Sequence, residues 1–271
     1  MEIEIVKHIW TALRLIILWL MVMSCQTIEP DTSGEGKPVV EGYLASGHPI
    51  EVKVTSEVLF TEADTIRTID GLNMKVTTEG KAYPLVQDVT GKYKAASLLI
   101  KSGKEYSVSF DYAGKSIVSS TTIPPQPTNF TASDSVIVIP TFNSSAFTGF
   151  PKFPNPIVLN WDNHDGTYYL VVVKNIEVKP NPINTGTVER VFIFRSNPIQ
   201  SNTFQIRTRQ FQYYGKHWVI LYKINAEYAA LYQNNGSSSL NIKTPYTNVN
   251  NGLGIFTGIN ADTLKVRVKP R

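Results

Sequence analysis

The 271-residue chain holds one cysteine, Cys25, and four histidines. A single cysteine excludes an internal disulfide, so the fold rests on its core alone. His8, His48, His164 and His217 are far apart in sequence. None belongs to an HExxH or His-x-His spacing, so the sequence predicts no metal site. Lysine and arginine never form a run of five, and a net charge of +4 is spread along the chain. That is no nucleic-acid footprint. The charges of the first 24 residues (Glu2, Glu4, Lys7 and Arg14) cancel, so the remainder keeps the same excess. No Gly-x-Ser-x-Gly elbow and no Ser-x-x-Lys occurs. The longest apolar run, Leu15–Met23, is short of the about 20 residues that span a bilayer.

What is present is apolar and aromatic. Hydrophobic residues make up 42% and aromatics 11%, against 18% charged. This balance leans toward an exported, β-rich protein. Lys7 and Arg14 precede "LIILWLMVM", and small Ser24 and Cys25 follow it. Charged, apolar and small regions in that order form a secretory signal. Val22-Met23-Ser24-Cys25 resembles a bacterial lipobox: aliphatic, middle, small, cysteine. The resemblance implies cleavage between Ser24 and Cys25 and acylation of the Cys25 thiol. Three acyl chains exceed the two signals that stable membrane anchoring needs. The absence of other cysteines fits an oxidising compartment. Gln26 after the cysteine leans toward outer-membrane sorting.

The expected organisation is a signal peptide over 1–24, a tether over 25–36, and two domains over 37–123 and 124–271. The tether is polar, with Pro30, Gly34 and Gly36. Beyond it, "IEVKVTSE" alternates Ile50, Val52 and Val54 with Glu51, Lys53 and Thr55. Glu79-Gly80, Ser102-Gly103 and Ala113-Gly114 read as tight turns between strands. "IPPQPTNF" breaks the pattern and marks the domain boundary. After it, Ile157, Leu159 and Trp161 alternate, as do Tyr169, Val171 and Val173. The fold class is mostly β: two β-sandwich domains, immunoglobulin/fibronectin-like or transthyretin-like, with Trp161 as a core plug. One short helix is expected near 225–235, with Asn225 as its N-cap. "TLKVRVKP" reads as the last strand.

"KPVVEGYL", "TTIPPQP" and "TNVNNGLGIFTGINADTL" together resemble one Bacteroidota family of outer-membrane lipoproteins, a domain of unknown function. Its members are commonly encoded beside TonB-dependent transporters. The resemblance implies a lipid-anchored cell-envelope protein with such a transporter as partner. It carries over no active site.

"WDNHDG" lacks the acid and the twelfth-position glutamate of a calcium loop, so Asp162 and Asp165 read as turn-shaping residues. "GLGIFTG" has its glycines at Gly252, Gly254 and Gly258, the wrong spacing for a dinucleotide loop. They read as a bulge or close approach ahead of the last strand. Two aromatic clusters are candidate partner or ligand surfaces. One is Phe142, Phe147, Phe150 and Phe153; the other is Tyr213, Tyr214 and Trp218. Thr65, Ser135 and Thr263 each follow Asp and precede an apolar residue, the O-glycosylation pattern of Bacteroidota. No catalytic residue, enzyme activity or cofactor is expected. The expected role is an accessory or binding component of a TonB-dependent transporter, with a glycan or peptide ligand. The alternative is a stand-alone adhesin or glycan-binding lipoprotein.

Overall fold

A computed structural model describes residues 36–58, 66–140, 154–183, 191–233 and 245–271. Its architecture is mostly β, a large mixed sheet and a three-stranded one, with one α-helix among the described residues. No helix of these residues is long and apolar enough to cross a membrane.

Local turns set the first hairpins. Glu79 and Gly80 sit at φ of 50° and 74° between β3 (Met74–Thr78) and β4 (Lys81–Val89). Ala113 and Gly114 sit at 47° and 73° between β6 (Glu105–Tyr112) and β7 (Lys115–Thr122). Two successive left-handed residues make the turn whose twist matches the flanking strands. With β1 (Pro38–Ala45), β2 (Pro49–Ser56) and β5 (Lys92–Leu99), these strands run in the order β1-β2-β5-β4-β3-β6-β7. Their inward residues, among them Val40, Val52, Val76 and Val108, bury a first core.

The second core lies between two sheets. The small sheet is β14-β10-β8 (Thr203–Ile206, Ile157–Asn160, Thr131–Ala132). It faces β11 (Tyr168–Asn175), β15 (Tyr213–Ile224), the far half of β16 (Leu253–Pro270) and β9 (Val136–Ile139). Short β12 (Asn181–Pro182) pairs β15, and β13 (Ile193–Arg195) is the edge beside β11. Tyr169, Val171 and Val173 point inward against Ile157, Leu159 and Trp161, as their alternation predicts. "IPPQP" carries no strand.

β16 joins the two cores. It begins at Leu253, not at "TLKVRVKP", so Gly254 and Gly258 lie inside the strand and Gly252 just ahead of it. The physical reason is its partner. Residues 253–259 pair in parallel with Val39–Ala45. Gly254, at φ 96°, lies so close to β1 that an added Cβ would be 2.1 Å from the Val40 carbonyl oxygen. Phe256 then points into the first core, and Val266 and Val268 into the second. Asn248 guides this entry: its Nδ2 donates to the Phe256 carbonyl (2.8 Å) and its Oδ1 accepts from the Phe256 amide (3.0 Å). Val118 of β7 bridges Asn250, so the sheet curls back on itself around the first core.

The helix Ala226–Gln233 lies on the outer face of the large sheet, with Ala229 against Leu170, Val172 and Ile224. Asn225 does not cap it with its side chain. Its Nδ2 donates instead to the Thr122 carbonyl (2.8 Å) and Thr121 Oγ1 (3.0 Å). Glu227 Oε1 accepts from Thr121 Oγ1 (2.9 Å) and Thr257 Oγ1 (3.2 Å). The helix start is thus spent on tying β7 to β16.

His217 is buried within the second core region. Its Nε2 faces the Asn175 amide (3.2 Å) and its Nδ1 the Gly215 carbonyl (3.2 Å), which selects the neutral tautomer with the proton on Nδ1. Burial pulls its pKa below the usual value, opposed by the Gly215 carbonyl and by Glu177. The folded protein therefore resists protonation while the unfolded chain does not. Stability from this group is full above about pH 6.5 and falls as pH drops through that value toward the lower folded pKa. Urea midpoints at pH 7.5 and 5.5 should separate more for the natural protein than for His217→Gln. Equal separations would refute this role.

Candidate functional site

The outer face of β13, β11, β15 and β16 is built by strand alternation. Register sets its rows. Lys174 lies opposite Trp218, and Trp218 opposite Lys265. Arg195 lies opposite Val172, Val172 opposite Ile220, and Ile220 opposite Thr263. Leu170 lies opposite Tyr222, and Tyr222 opposite Ala261. The alternate residues (Val171, Val173, Val219, Leu221) turn into the second core. At one end the helix stands over the face and walls a cleft of about 540 Å³. That is within the about 300–1,000 Å³ of small-ligand sites.

Aromatic side chains line the cleft. Tyr228 of the helix meets Tyr43 edge-on at 5.5 Å and Tyr232 at 5.9 Å. Tyr222 lines the floor and Trp218 the open end, where it is 40% exposed. Burial and a shared hydrogen bond with Tyr232 push the Tyr228 hydroxyl well above the usual tyrosine range. Burial, then nearby Glu41, does the same to Tyr43. Both remain neutral phenols able to donate and accept hydrogen bonds. Among the described residues Lys174 and Arg195 are the charged residues of the lining, and no carboxylate lines the cleft. Apolar rings, phenol hydroxyls and two cations can hold a ligand that has a flat face and negative charge.

A second, polar recess lies where Thr121, Asn225, Glu227 and Asn248 meet. These side chains bond one another and the backbone, as described for the helix start, so the recess is a joint between β7 and β16. Among the described residues no group of three or more His, Cys, Asp or Glu is placed to hold a metal ion. His164 is exposed in the turn after Trp161. In the same turn Asp162 accepts from Asn129 Nδ2 (2.6 Å), and Asp165 faces Lys223 Nζ (3.4 Å).

The residues singled out from sequence fare unequally. Trp218 is on the open face. Tyr213 and Tyr214 are buried, at 7% and 6% exposure, and present no surface. Tyr213 stacks on Phe192 at 4.9 Å, and the Tyr214 hydroxyl points to the Ile139 carbonyl (3.5 Å). Ser135 and Thr263 are exposed. Ser24, Cys25, Thr65, Phe142, Phe147, Phe150 and Phe153 lie outside the described residues. Sequence reasoning missed Tyr43, Lys174, Arg195, Tyr222 and Tyr228 as one site. The available signal was "KHWVILYKI", where Trp218, Ile220 and Tyr222 alternate with Val219 and Leu221.

A family model described as a domain of unknown function, DUF4249, matches residues 26–265. No curated protein matches the chain. A crystal structure of three titin domains aligns with 71% of this chain at 10% identity and a TM-score of 0.21. The chain spans 62% of the length of that titin fragment. At such a score the fold is argued from the strands themselves.

Proposed function

The chain belongs to the DUF4249 family, a family of unknown function, and we propose that it is a lipid-anchored, non-catalytic binding protein of the bacterial outer membrane, working beside a TonB-dependent transporter. The observation that carries the binding role is the aromatic cleft: concave, ring-lined and, among the described residues, bordered by cations without a carboxylate. The signal and lipobox pattern ending at Cys25 supports the anchor, and the polar stretch to Gly36 supports a leash between anchor and sheet. The transporter partner rests on the family resemblance of the three quoted segments. Trp218, exposed at the open end, also suits a stand-alone glycan-binding lipoprotein.

Two measurements test this. Cys25→Ala should leave the protein unprocessed or release it from the membrane fraction, because each lost acyl methylene removes about 0.8 kcal/mol of membrane affinity. A normal acylated mature form of that variant refutes the anchor. Mild detergent extraction from the native host should then co-purify a TonB-dependent transporter with the natural protein. Its absence favours the stand-alone reading.

A further inference from the structure

The cleft opens onto a wider surface. Beyond Trp218 the same sheet face carries Lys216, Lys265, Arg267 and Lys269, which join Lys174 and Arg195. All six are exposed. None of them forms an ion pair among the described residues. Lys216 lies directly opposite Arg267, and like charges in that position destabilise a sheet. At that end Glu177 Oε1 accepts from the Lys216 amide (2.7 Å). At the other end Glu41 is bridged to Lys53 (3.7 Å). Cations that no carboxylate of the described residues bridges, set around one exposed indole, favour negative charge.

We propose that this face binds an anionic oligosaccharide, a chain containing uronic acid residues, with one sugar ring on the Trp218 indole and carboxylates against Lys174 and Lys265. The proposal rests on the cleft being a binding site and adds the class of ligand. Three observations select a glycan over an acidic peptide. First, Trp218 stands in one cross-strand row between Lys174 and Lys265, each about 5 Å away at Cα. A pyranose stacked there by its C–H face places its ring carboxylate toward an ammonium group. Second, β15, which carries Trp218, is hydrogen-bonded to β11 on one side and to β16 on the other. It has no free backbone groups for an added peptide strand, so recognition at Trp218 is by side chains. Third, the phenols of Tyr43 and Tyr228 are held neutral at the closed end, where they can meet sugar hydroxyls.

The test uses the full chain in detergent micelles and reads binding by isothermal titration calorimetry, which serves the natural protein and its Trp218 variant alike. The probes are oligogalacturonate, the same oligosaccharide with its carboxyls methyl-esterified, and oligoglutamate of equal charge. Oligogalacturonate should bind at least tenfold tighter than either, with affinity falling as salt rises. Trp218→Ala should weaken it about tenfold or more, and Lys174→Glu with Lys265→Glu should abolish it. The ester binding as tightly overturns the anionic assignment but leaves the cleft a binding site. Oligoglutamate binding equally, or full affinity in Trp218→Ala, also overturns the proposal and marks the face as a polyanion adsorber. No probe binding at all overturns it and removes the support for a binding cleft. The anchor and the transporter are tested separately by Cys25→Ala and co-purification.

Discussion

Gly254→Ala should destabilise the protein by at least about 4 kcal/mol, a large share of the about 5–15 kcal/mol that holds an ordinary domain folded. Two effects add. An alanine at φ 96° carries roughly 1–3 kcal/mol of backbone strain. The new methyl would also lie 2.1 Å from the Val40 carbonyl oxygen and 2.8 Å from the Val40 amide nitrogen. Those are backbone atoms, so no rotamer relieves the clash. β1 must leave β16, and with it goes the contact that holds Phe256 in the first core. Gly47→Ala is the control. Gly47 has a φ of 82° but nothing within 4 Å of the added methyl, so it bears the backbone strain alone, about 1–2 kcal/mol. Urea unfolding of both variants decides the matter. Equal losses would mean that the close approach of β16 to β1 carries no energy.

Phe256→Ala should cost about 3–5 kcal/mol, the usual range for a buried phenylalanine. The ring is fully buried and sits opposite Gly42 in the parallel register. A Cβ on Gly42 would fall 2.6 Å from Phe256 Cδ2. The ring thus fills the space that the missing side chain of Gly42 leaves, a device by which an aromatic residue shields a glycine in a neighbouring strand. Gly42→Ala should therefore destabilise the natural protein and cost little in the Phe256→Ala background. The double variant should be more stable than the sum of the single losses by about 1–3 kcal/mol. Additive losses would show that the two positions do not share the space.

The local parts of this fold are readable without coordinates, and the reason is range. Glu79-Gly80 and Ala113-Gly114 act over four residues, so the hairpins they close were expected and are present. The inward set Tyr169, Val171 and Val173 follows from the period of a strand. β16 was harder. The glycines of "GLGIFTG" read as a bulge or close approach, but the strand that Gly254 approaches, β1, lies at the opposite end of the chain. Asn225 holds the N-cap position, its carbonyl accepting from the Tyr228 and Ala229 amides, but the bonds of its Nδ2 to Thr121 and Thr122 depend on a strand more than a hundred residues earlier. The site was hardest. Lys174, Trp218 and Lys265 become neighbours only through two strand pairings. In sequence each is one polar or aromatic residue among valines. Tyr213 and Tyr214 stood out as a pair, but Phe192 and Ile139, distant in sequence, cover them.

The place of β16 also sets a clock. Val39 waits for Leu253 before the parallel pair can form. At about 5–20 residues per second, that is roughly 10–40 s of translation. Until then the first core lacks Phe256 and the second lacks Val266 and Val268. Pairings of such long range also form slowly once the chain is complete. Both cores therefore stay incomplete for nearly the whole of synthesis, and one late strand completes them together.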